Sequence, residues 1–147
     1  MLSTMKKNRQ DNATTIATWS LNGRLTEPTR HEELFTDMKW KNVDIAALQE
    51  TIWSHDAIIK DRSGAMIINF KINAEGYRGL AFYLSPKWAE RLTSTKIINT
   101  RMAAARLKAF NVDKADLVAI NAHAPTMTRA KENPELTEAI ITGGKYP

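Results

Sequence analysis

Ile45-Ala-Ala-Leu-Gln-Glu-Thr51 is an apolar run that ends in an amide and then a bare carboxylate. A buried strand ordinarily stops at Gly, Pro, Asn or Asp. The run from Val43 to Leu48 instead leads straight to Glu50. Two readings stand open from the local sequence. Glu50 is a solvated residue at a strand end, or the strand aims it at a positive charge. A lone carboxylate so placed can hold Mg²⁺, which takes oxygen ligands and often only one or two carboxylates.

Working outward, the chain of 147 residues is long enough for one ordinary domain. Its charged fraction of 25% and hydrophobic fraction of 43% are those of a globular protein. A net charge of +5 suits a nucleic-acid partner through phosphate neutralisation, and equally suits a basic protein without that role. The absence of cysteine excludes disulfides and thiolate metal sites. No apolar run approaches the roughly 20 residues that span a membrane. Residues 1–13 begin with the polar MLSTMKKNRQDN and read as a short disordered lead, not a secretory signal. Nucleus or cytoplasm is the expected location.

Thr14–Ser20 is rich in β-branched and aromatic residues and predicts a strand, closed by the turn signal Asn22-Gly23. Pro28, followed by Glu32 and Glu33, marks a helix from about Thr29 to Lys41. Val43–Gln49 predicts a strand buried on both faces. Further strands are expected at Ala65–Asn73, Gly79–Leu84 and, briefly, Lys96–Asn99. Met102–Phe110 fits helix or strand by period. The turn at Asn111–Lys114 and the strand at Asp116–Ala122 favour strand. Thr128–Ile141 reads as a helix interrupted by Pro134. Trp19 and Trp40 are expected in the core. The pattern is an α/β sandwich.

Polar residues gather at the strand ends. Ser20 ends the first strand and Asn22 follows it; both are catalytic candidates, each with a turn or surface role as its simpler reading. His123, in Ile120-Asn-Ala-His-Ala-Pro-Thr126, is a candidate general acid or base, or else a partly buried hydrogen-bonded residue. Arg101 and Arg106 flank a strand and are candidates for phosphate contact, with surface solubility favoured for Arg106. His31 and His55 lack companion ligands at metal spacing. There is no P-loop, dinucleotide fingerprint, Gly-x-Ser-x-Gly or His-Glu-x-x-His.

Taken in order, IATWSLNGRL, VDIAALQET, GYRGLAFYLS, TRMAAARLKAF and LVAINAHAPT resemble the endonuclease/exonuclease/phosphatase, or exonuclease III-like, family. The nearest branch is that of non-LTR retrotransposon endonucleases and craniofacial development protein 2-like proteins. The resemblance runs from about Thr14 to Glu138. It implies a four-layer α/β sandwich that hydrolyses phosphodiester or phosphomonoester bonds with Mg²⁺, Mn²⁺ being an alternative ion, and DNA as the partner in this branch. Glu50 matches the family's metal-binding glutamate. His123 falls where the family has a tyrosine against the scissile phosphate, and Thr126 where related nucleases have asparagine. Arg101 is placed to contact nucleic acid.

The departures matter as much. Ser20 stands where the family has asparagine, and Ser lacks the amide. Asn22, two residues on, lies ~7 Å further along the strand and does not replace it in place. The Gly-Asp-Phe-Asn and Ser-Asp-His motifs that supply the family's base and phosphate-contacting histidine do not occur. Such sandwiches run to roughly 200–250 residues. The expectation is therefore a partial four-layer sandwich over residues 14–138 with its C-terminal half missing, and an unrelated tail over 139–147. Inactivity as this chain, an exposed apolar face and self-association through sheet edges follow from that expectation. The alternative is a non-catalytic nucleic-acid-binding or protein-interaction module.

Overall fold

The computed structural model describes residues 13–53, 55–71 and 79–124. Among these residues, eight strands form two sheets. The first has the order β1-β2-β5-β4-β3, from Ile16–Ser20 (β1), Ile45–Gln49 (β2), Ala57–Lys60 (β3), Met66–Phe70 (β4) and Leu80–Leu84 (β5). The second is β6-β7-β8, from Leu92–Asn99, Met102–Leu107 and Leu117–Ala122. Helix α1 spans Pro28–Trp40, and a single turn, α2, spans Pro86–Ala89. β1 runs parallel to β2, and the intervening α1 is the crossover that such a pair requires. The remaining pairs are antiparallel.

Strand alternation sorts the core into two slabs. Ala46, Leu48, Ile67, Ala81 and Tyr83 point to one face of the first sheet and pack on Leu34, Phe35 and Met38 of α1. Ile45, Met66, Ile68, Phe82 and Leu84 point to the other and pack on Ala103, Ala105 and Leu107 of β7. Every residue of β4 and β5 is buried, because each face has a partner layer. The small side chains of β7 let the second sheet approach closely. Helix, five-stranded sheet and three-stranded sheet thus stack as three layers among the described residues.

Several expectations are corrected. Trp40 is 86% exposed and takes no part in the core. It lies two residues beyond the inward-facing Met38, about 200° round the helix, and so points to solvent. Trp19 is half-buried against the α1 slab. The strand at Lys96–Asn99 begins earlier, at Leu92, because its edge position tolerates the exposed Thr93, Ser94 and Thr95. Neither β3 nor α2 was expected. β3 is a four-residue edge strand whose alternation is too brief to read, and Pro86, taken as a strand stop, also starts a helical turn. The expected helix at Thr128–Ile141 lies outside the described residues.

Candidate functional site at the strand ends

Glu50 is where the alternation of β2 breaks. Even-numbered Ala46 and Leu48 face α1, and a continued strand would send Glu50 the same way. Its φ of 55° turns the backbone into the left-handed region instead. The carboxylate reaches Ser20, whose register partner Gln49 faces the second sheet. The Ser20 hydroxyl donates to Glu50 Oε2 at 2.8 Å, and His123 Nε2 lies 3.8 Å from Glu50 Oε1. Glu50 and His123 side chains are 25% and 28% exposed, half-sheltered yet open to a ligand. The apolar run therefore ends in a carboxylate held between two sheets.

Each partner is positioned by its own element. β1 delivers Ser20 beside β2, and the turn after it is tied down by Leu21 N–H to the Gln49 carbonyl at 2.8 Å and Gly23 N–H to the Glu50 carbonyl at 2.7 Å. Asn22 is exposed at φ 54° and takes no part in the Glu50 hydrogen bonds, so its turn role is the one observed. His123 follows β8, and its N–H donates to the Arg101 carbonyl at 3.0 Å. Arg101 is 5% exposed, and its guanidinium donates to the His123 carbonyl at 3.3 Å. A surface-solubility role for Arg101 is thereby excluded, while Arg106 is exposed as expected. Thr126 lies outside the described residues.

Two supporting residues, Asn121 and Asn69, escaped the sequence reading. Asn121 is fully buried and spans the gap between the sheets. Its amide donates to the carbonyls of Leu48 at 2.9 Å and Ala81 at 2.8 Å, and its oxygen accepts from Gln49 Nε2 at 2.9 Å. Gln49 also bonds Thr18 of β1. Asn69 accepts from the Thr51 hydroxyl at 2.8 Å and donates to the carbonyls of Trp53 and His55, which pins the chain just beyond Glu50. The only signal available was an amide inside each apolar run, a position that costs free energy unless fully bonded. Gly79 belongs to this scaffold too. It sits at φ +88°, and a side chain there would collide with the Thr51 hydroxyl.

His31 is engaged elsewhere. Its Nε2–H donates to the Leu25 carbonyl at 2.9 Å and its ring stacks on Trp53. A larger cleft of about 660 Å³ opens at the opposite end of the first sheet, beside Phe35, Asp44, Asp61 and Tyr83. Its carboxylates already have partners: Asp44 accepts from Thr15 N–H and lies 3.6 Å from Lys87 Nζ, and Asp61 closes its own turn. The functional candidate is the polar convergence at Glu50, because there a carboxylate, a hydroxyl and an imidazole from distant segments meet at the surface.

The oxygen donors Glu50 and Ser20 suit a hard cation that keeps most of its waters. Among the described residues no group of three or more His, Asp or Glu encloses a metal. No helix among them is long and apolar enough to cross a membrane. No family model matches this chain, and no curated protein matches it. Among solved structures, the crystal structure of the AP endonuclease LMAP from Leishmania major superposes with a TM-score of 0.62 at 15% sequence identity. The match covers 90% of this chain and 48% of that one. The chain is thus folded as about half of that AP endonuclease's chain is folded.

Proposed function

We propose that this chain carries the metal-holding part of a retrotransposon-type endonuclease site that hydrolyses phosphodiester bonds in DNA, and that as this chain it is inactive. The observation that carries the reading is the convergence of Ser20 and His123 on a carboxylate whose backbone leaves its strand to meet them. The fold likeness to an AP endonuclease supports a nuclease-like role and DNA as partner. In this reading the fold is the first part of a four-layer sandwich.

Glu50 would hold Mg²⁺ or Mn²⁺, with the Ser20 hydroxyl alongside. Bound there, the ion would neutralise charge on a phosphate. The Ser20 hydroxyl orients the carboxylate through Oε2. His123 Nε2 would offer a hydrogen bond to a phosphate oxygen at the same rim. Arg101, behind His123, fixes the loop's path through the His123 carbonyl. No second carboxylate joins this group among the described residues, and the reading is of binding without turnover.

The test is Mn²⁺ binding by electron paramagnetic resonance together with plasmid nicking, for the parent and Glu50→Ala. The expected result is Mn²⁺ binding that the variant loses, with no nicking by either. Equal Mn²⁺ binding in both would overturn the metal role. Metal-dependent nicking by the parent alone would overturn inactivity. Salt-sensitive DNA binding that Glu50→Ala and metal leave unchanged would favour the non-catalytic binding module.

A further inference from the structure

Glu50 and His123 follow strands of different sheets, and among the described residues no backbone ladder joins those sheets. Something must set the spacing between their carboxylate and imidazole. Apolar contacts between the slabs are non-directional and tolerate sliding. Asn121 is the directional link. It stands two residues before His123, is 0% exposed, and faces Leu48 and Gln49, the two residues before Glu50. Both of its amide hydrogens are accepted, by Leu48 of β2 and Ala81 of β5, and its oxygen is taken by the Gln49 side chain. An amide that bonds in three directions can sit in one register only. A slide of one strand position would strand these groups in an apolar slab at full desolvation cost.

We infer that Asn121 is a positioning residue for the Glu50–His123 pair: it latches β8 across β2 and β5 so that the imidazole meets the carboxylate. The inference rests on the reading that this pair forms the site. Gln49 is the second half of the latch, since it passes the constraint on to Thr18 in β1, the strand that carries Ser20.

The test reads the pair directly and needs neither metal nor DNA. In protein labelled with ¹⁵N-histidine, the His123 ring signals are assigned by loss in His123→Phe. Glu50→Gln is expected to shift them in the parent. In an Asn121→Leu background, which keeps the branched shape without the three bonds, Glu50→Gln is expected to leave them unmoved although the variant still melts cooperatively. If Asn121→Leu fails to fold, Asn121→Thr, which keeps one hydroxyl to donate, is read instead and is expected to shrink the response by at least half. An equal response in the parent and the latch variant overturns the proposal. So does the absence of any response in the parent, because the pair would then not be in contact. Loss of Mn²⁺ binding in Glu50→Ala alongside an equal ring response would sink the latch and leave the metal site standing.

Discussion

Two residues just past β2 take a left-handed backbone, and they do so on different terms. Glu50 at φ 55° gains the contacts with Ser20 and His123. Ile52 at φ 45° is β-branched, 47% exposed and rests on Gly23. A branched side chain is strained in that region by about 1–3 kcal/mol. Asn tolerates it, and little buried surface would be lost. Ile52→Asn is therefore expected to raise stability by about 1 kcal/mol. The check is the urea midpoint at unchanged slope. A lowered midpoint would show that packing on Gly23 outweighs backbone strain. At this scale the sequence disclosed Glu50, because a carboxylate at the end of an apolar run is conspicuous. It could not disclose the turn of backbone that brings Ser20 and His123 to it, nor Asn121, whose importance lies in which sheet it faces.

Among elements, the buried strands and the edge strands β1 and β8 were legible, whereas β3 was missed and β6 was read only over its second half. β2 and β5 read as continuous apolar runs because both faces are covered, and β7 was settled by the turn that follows it. β3 and β6 are edge strands: β3 is only four residues long, and the first half of β6, Leu92-Thr-Ser-Thr95, is polar like a loop. Those edges carry a liability. β1 and β3 bound the first sheet, and each exposes an isoleucine, Ile16 at 66% and Ile58 at 65%. Ile58 adjoins an open groove with Phe70, Lys96 and Ile97, of about 640 Å³ between the two sheets. Unpaired strand edges with apolar side chains invite pairing with another chain. The parent is expected to self-associate as its concentration rises, and the Ile16→Lys, Ile58→Lys double variant to stay monomeric. Sedimentation velocity across a hundredfold concentration range checks this, and identical profiles would remove the edges as the cause.

For the molecule as a whole, the layered α/β class was readable from the order of strand and helix signals, whereas the pairing of strands across the two sheets was not. Sheet packing depends on which odd or even set finds a partner, and that information is distributed over the whole chain. One titrating group belongs at this scale because its environment spans layers. Tyr83 of β5 packs edge-on against Phe35 of α1, and burial first, then the charges of Asp61 and Asp44, push its phenol up to about 12. The neutral phenol is thus favoured in the fold. Its contribution is fully present below the ordinary tyrosine value near 10 and is lost as pH rises toward 12. Tyr83→Phe is expected to flatten part of the fall in urea midpoint between about pH 10 and 12. Parallel curves for parent and variant would show that other groups govern alkaline unfolding.

The latch at Asn121 also orders events in time. Asn121 bonds Leu48 and Gln49 across sequence separations of 73 and 72 residues. On the ribosome, Ser20 and Glu50 emerge early, and β1 and β2 can pair as soon as α1 has crossed between them. His123 arrives last of the three. Until β8 is made and docks, the nascent chain holds a carboxylate and a hydroxyl with no imidazole opposite. The pair is thus a late acquisition of folding, and a chain that pauses before β8 carries a sheet without its site.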